Sequence, residues 1–153
     1  MKYFIAVFVL SPILLLAHPH IFIDVNAKVD GDRIYFEWEV DEIKSAMMKL
    51  DYDLNQDGSF DKEELGNFKK STDYMLYERT DFFISPKKKI ENLSISWRDN
   101  KFTILFDIII KEKKLYLWDR EMLFSFHLNK SDIKAIESND YYGYEFYIDK
   151  GEL

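Results

Sequence analysis

The chain has 153 residues, 47% of them apolar and 17% aromatic, which suits one domain with a single core and excludes a disordered chain. Its net charge of −7 argues against nucleic acid or an anionic membrane surface as a partner. With no cysteine, it has no disulfide, thiolate metal site, cysteine nucleophile or lipid-modified N-terminal cysteine.

The N-terminus has the layout of a secretory signal: Lys2, an apolar stretch over 3–16 interrupted by Ser11-Pro12, and Ala17 at a −1 cleavage position. An apolar stretch of about 14 residues is shorter than the ~20 needed to cross a bilayer, so 1–17 is expected to be cleaved, leaving no stable membrane insertion. The mature chain, 18–153, then begins at His18. The α-amine and imidazole of His18 can together chelate Zn²⁺, Ni²⁺ or Cu²⁺, and His20 lies on the same side of an extended segment. The N-terminal site that needs a deprotonated second amide is excluded, because Pro19 has no N–H.

Ile21, Ile23, Val25, Ala27 and Val29 alternate with Phe22, Asp24, Asn26 and Lys28 as in a half-buried strand. Asp30-Gly31 turns the chain into a second strand over 33–40, with Phe36, Trp38 and Val40 on one face. Residues 41–79 are free of Pro and carry helical spacing on both sides of a central acidic stretch: Ile43, Ala46, Met47 and Leu50 before it, and Leu65, Phe68, Met75 and Leu76 after it.

That stretch, 53–64, has the form of an EF-hand calcium loop. Ca²⁺ seeks six to eight oxygens, and Asp53, Asn55 and Asp57 offer side-chain oxygens at loop positions 1, 3 and 5. Ser59 offers its backbone carbonyl, Asp61 ligates through water, and the Glu64 carboxylate closes the site. Gly58 permits the sharp bend, and Phe60 is the apolar anchor. Without a cation, the four ligand carboxylates in so short a loop would repel one another.

Strand signals resume at 81–85, followed by Pro86 and three lysines, an exposed edge. Leu93, Ile95 and Trp97 alternate, Asp99-Asn100 turns, and Phe102, Ile104, Phe106, Ile108 and Ile110 form the longest alternating run. Strands are expected over 115–118, 122–128 and 144–148, with a short helical turn over 131–136. His127 opposes the Phe124, Phe126 and Leu128 face, and is a third transition-metal ligand if its strand lies near the first. The expected class is α+β: a β-rich sandwich or barrel-like antiparallel sheet with an inserted EF-hand helix–loop–helix at 41–79. No nucleophile elbow or phosphate-cradling glycine loop is present, and no enzyme constellation emerges.

The chain resembles an uncharacterised bacterial family described as periplasmic components of ABC-type transport systems. The resemblance rests on Ala17-His18-Pro19-His20 before an Ile/Phe/Asp strand, Phe36-Glu37-Trp38, Asp41-Glu42, Ser45-Ala46, and the loop with Glu64-Leu65. Asp81-Phe82-Phe83, the 102–106 strand and the 115–126 segment add to it. Where that family tends to read D-P-T-Y, this chain reads Asp119-Arg120-Glu121-Met122. The resemblance implies an exported, periplasmic, β-rich protein associated with a membrane transporter or another periplasmic protein, with transition-metal transport as its setting. The competing expectation is a protein–protein binding module whose calcium is purely structural.

Overall fold

The computed structural model describes residues 21–78, 83–119, 124–138 and 143–148, and for 73–78 the backbone alone. The expected signal peptide, His18, His20, the start of the 81–85 strand, the side chains of Met75 and Leu76, and the loop at 120–122 lie outside the described residues.

The strand β1 (Ile21–Asp30) pairs antiparallel with β2 (Arg33–Val40). The turn is Gly31-Asp32, one residue later than the sequence pattern predicts, with Gly31 at φ +59°. Helices α1 (Glu42–Tyr52) and α2 (Lys62–Glu78) follow. Then come β3 (Ile84–Ser85), β4 (Ile90–Arg98), β5 (Lys101–Ile109), β6 (Lys114–Leu117), β7 (Phe124–Ser131), β8 (Lys134–Glu137) and β9 (Tyr144–Tyr147). The β4–β5 turn puts both Asp99 and Asn100 at positive φ, the residue types that tolerate it best after glycine.

The strands form two open sheets, ordered β4-β5-β2-β1-β7 and β3-β6-β9-β8. This overturns the expected fold class in two respects. The edges do not meet, so there is no closed barrel, and β7 runs parallel to β1, so the larger sheet is mixed rather than antiparallel. Alternation in a sequence identifies the buried face of a strand, not its direction or its neighbour, and both errors come from that gap. The helical turn expected at 131–136 is also corrected. Ser131 Oγ accepts from Ile133 N–H at 3.0 Å to close a bend, after which Lys134–Glu137 extends as β8.

The core lies between the sheets and under the helices. Phe36 stacks on Phe106 at 5.2 Å and meets Phe146 of the smaller sheet edge-on at 6.1 Å. Trp38 packs against Phe106, Phe126 and Phe83, with centroids 4.9, 5.1 and 6.2 Å away. Away from the helices, the buried Asp107 carboxylate is held by Arg33 and by Asn92 Nδ2 at 2.7 Å. Asn92 stands at the register shift in β4, at φ +52°.

The helical pair is tied to the larger sheet by named contacts. Asp41 caps α1 by accepting from Lys44 N–H at 2.9 Å, and its other oxygen accepts from Phe22 N–H of β1 at 3.1 Å. Buried Ser45 donates to Val40 O and accepts from Phe102 N–H, both at 3.1 Å. Phe68 of α2 meets Phe102 at 4.3 Å, and Phe60 between the helices meets Phe102 and Trp97 at 5.0 and 5.1 Å. A helix, a loop and a helix therefore follow β2, but the expected EF-hand insertion is not established by this, because the ligand side chains do not converge.

Candidate metal centre

The loop is built by its own acidic side chains turning onto backbone N–H groups. Asp53 accepts from Asp57 N–H at 3.2 Å and Gly58 N–H at 3.0 Å, while Asn55 Oδ1 accepts from Asp57 N–H at 2.8 Å. Asp57 accepts from the Ser59 amide and hydroxyl at 2.8 and 2.7 Å, and these donors hold its carboxyl below the usual range. Gly58 stands at φ +85° and Gln56 at +57°, so the bend uses the left-handed region twice.

Asp61 and Glu64 form a reciprocal cap at the start of α2. Asp61 Oδ1 accepts from Glu64 N–H at 2.9 Å, and Glu64 Oε2 accepts from Asp61 N–H at 3.0 Å. Glu64 Oε1 reaches across the loop to Leu54 and Asn55 N–H at 2.8 and 3.3 Å. The two carboxylates that open and close the loop are its buried ones, Asp53 at 8% and Glu64 at 3% exposure. A concavity of about 270 Å³ lies beside them, lined by Leu54, Asn55, Asp61, Glu63 and Glu64.

Among the described residues, no three His, Asp or Glu side chains are placed to share one ion. The donor set nevertheless fits Ca²⁺ chemically: hard oxygens only, several of them anionic, on a glycine-bent loop. A carboxylate has about four lone-pair sites, so Asp53, with two N–H partners, retains acceptor capacity. Glu64, with three, keeps one on Oε2, and to close on an ion with both oxygens it would have to give up a backbone partner of Oε1.

Lys49 was not among the expected site residues. Its ammonium bonds Gly58 O at 2.5 Å, lies 5.4 Å from the Trp97 ring centre, and helps lower the Asp57 pKa. A cation in the last turn of the helix preceding an acidic loop is legible in sequence as charge complementarity.

Of the three histidines, His127 alone is described. It stands on β7 opposite Asp24 of β1, with Nδ1 3.0 Å from Asp24 Oδ1, and is 70% exposed at its side chain. The strand adjacency that the sequence leaves open is therefore present: His127 lies beside the strand that follows His20. Asp24 is a second residue the sequence reading missed, since nothing marks it until β1 and β7 are known to be neighbours.

Comparison with curated proteins finds no match. The family described as "Protein of unknown function (DUF1007)" matches residues 3–149, nearly the whole chain, and the protein belongs to that uncharacterised family.

Proposed function

We propose that the protein is an exported Ca²⁺-binding component that works beside a membrane transporter. Asp53, Asn55, Asp57, the Ser59 carbonyl, Asp61 and Glu64 would hold the ion. The observation that carries this reading is the burial of Asp53 and Glu64 at the two ends of one short loop. Buried carboxylates are costly unless compensated, and the loop's N–H groups compensate them without neutralising their charge. Bound Ca²⁺ would supply that missing positive charge and pin α1 to α2. Periplasmic location and the link to transport rest on the signal-like 1–17 segment and on the family resemblance.

The test is thermal unfolding in chelator and in millimolar Ca²⁺. Wild type should melt higher with Ca²⁺, since a ligand at its Kd stabilises by about 0.4 kcal/mol and at ten times its Kd by about 1.4 kcal/mol, and Glu64→Gln should lose most of that gain. Equal melting temperatures with and without Ca²⁺ would refute it.

A transition-metal site using His18, His20 and His127 is favoured by one observation, the Asp24–His127 contact. A carboxylate accepting from Nδ1–H leaves Nε2 unprotonated and raises its basicity as a ligand for Zn²⁺, Ni²⁺ or Cu²⁺. Asp24→Asn should weaken Zn²⁺ binding by roughly 10–100-fold, and His127→Ala by at least as much. Zn²⁺ affinity unchanged in both variants would remove β7 from that site.

A further inference from the structure

Helix α1 turns its largest apolar side chains away from the protein. Ile43 is 78% exposed, Met47 55%, Leu50 84%, and Leu54, just beyond the helix, 66%. The opposite face, Ser45, Met48 and Tyr52, is the one seated on the core. Spacings of four and three residues place Ile43, Met47 and Leu50 in one narrow stripe, the periodicity of a two-helix seam, and Leu54 follows past the non-helical cap Asp53. Single exposed apolar residues need no explanation, but a contiguous stripe marks an interaction surface.

The stripe is self-complementary. Reversing the helix about a point between Met48 and Lys49 exchanges Met47 with Leu50. One flank carries Lys44 and Asp51, which lie one turn-pair apart beside the seam. We propose that this face is covered by α1 of a second copy of the chain, antiparallel about a two-fold axis between Met48 and Lys49. Met47 then meets Leu50 of the second copy, and Ile43 reaches the C-terminal end of that copy's α1. Lys44 comes beside Asp51 of the second copy, and the symmetry forms that ion pair twice. A parallel pairing sets Asp51 against Ala46 and forms neither pair. A membrane is the poorer occupant: Lys44 and Lys49 are balanced by Glu42 and Asp51, and the whole chain is at −7. The pairing does not depend on the calcium reading.

Because the chain has no cysteine, introduced thiols report the geometry directly. Full-length chains carrying Met47→Cys and chains carrying Leu50→Cys should form a disulfide-linked dimer on mild oxidation of the mixture, at least about five-fold more than chains carrying Ile43→Cys alone. Like Ile43 positions are eleven residues apart along an antiparallel seam, about 16 Å, while a disulfide spans Cα atoms about 4.4–6.8 Å apart. In sedimentation equilibrium of the unmodified full chain, Leu50→Glu should raise the dimer dissociation constant at least about ten-fold. Lys44→Glu should raise it about two- to five-fold, and Asp51→Lys added to it should restore the original value. Leu50 and Asp51 are exposed and Lys44 is half-buried at the surface, so circular dichroism should be unchanged. Equal cross-linking by Ile43→Cys chains alone, a monomer at about 100 μM, or a dimer indifferent to Leu50→Glu would overturn the proposal. So would binding to phosphatidylcholine–phosphatidylglycerol vesicles that Leu50→Glu abolishes while no protein dimer forms, which would give the face to a membrane.

Discussion

Glu64 illustrates how one residue serves two purposes. Its carboxylate completes the helix cap with Asp61 and also spans the loop to Leu54 and Asn55. Replacing it with Gln puts an N–H₂ group against a backbone N–H. Glu64→Gln should therefore lower stability by about 1–3 kcal/mol even in chelator, as read by urea unfolding. A loss seen only in the presence of Ca²⁺ would mean the cap contributes nothing. Lys49 acts in the opposite sense, since its ammonium lies on Gly58 O and near Asp57, where a divalent ion would compete with it. Lys49→Gln should tighten Ca²⁺ binding by about two- to five-fold in a titration at low salt and by less at high salt. At this scale the sequence was only half legible. The D-x-x-E spacing of Asp61 and Glu64 reads both as the end of a calcium loop and as a capping box, and nothing in one chain separates the two.

At the scale of elements, strand faces were legible, and so was α2's, where Phe68 is buried and Leu65 packs on the core, but α1's was not. Phe36, Trp38 and Val40 are buried as their alternation requires, and so are Phe102, Ile104, Phe106, Ile108 and Ile110. On α1 the apolar stripe at Ile43, Met47 and Leu50 faces solvent, and the docked face centres on a serine. A small hydroxyl lets the helix approach the sheet while pairing Val40 O and Phe102 N–H, a role that hydropathy cannot reveal. Ser45→Ala leaves both groups buried and unpaired, and should cost about 1–3 kcal/mol by equilibrium unfolding, whereas Ala46→Ser on the exposed side should be near neutral. Gly143 is the counterpart in the smaller sheet. A Cβ there would lie 2.0 Å from Leu117 O and 2.7 Å from Trp118 Cα, so Gly143→Ala requires β9 to move off β6. Far-ultraviolet circular dichroism of that variant should show lost sheet signal, and an unaltered spectrum and melting temperature would contradict the packing described.

Across the whole molecule, most strands could be read from the sequence, but β8 was expected as a helical turn, the first hairpin turn lies one residue later, and the pairing could not be read. The parallel β1–β7 neighbours depend on contacts between segments more than 100 residues apart, and the two-sheet division on pairings that skip intervening strands, and a single sequence carries no signal for either. The same long-range pairing brought His127 to Asp24 and gave the histidine reading its one structural support. Charge pairing over the surface sets the pH range of stability. Arg33 holds Glu91 low, Lys88 holds Glu112 low, and Lys114 holds Glu145 low. A carboxylate depressed in the folded state stabilises above its unfolded pKa, and that contribution disappears as pH falls through the folded value. Lys101 and Lys114 are raised by Glu39 and Glu145, and their contribution is lost as pH rises through the folded values. Melting temperature should be level between about pH 5 and 9, fall below the ordinary glutamate value of 4.5, and fall again above the ordinary lysine value of 10.5.

The most direct measurement is a calorimetric titration of Ca²⁺ into chelator-stripped, folded protein. One saturable site per chain, with Kd at or below about 10⁻³ M and lost in a variant carrying Asp53→Asn with Glu64→Gln, is the predicted result. No heat at millimolar Ca²⁺, or a site that survives both substitutions, would contradict the account.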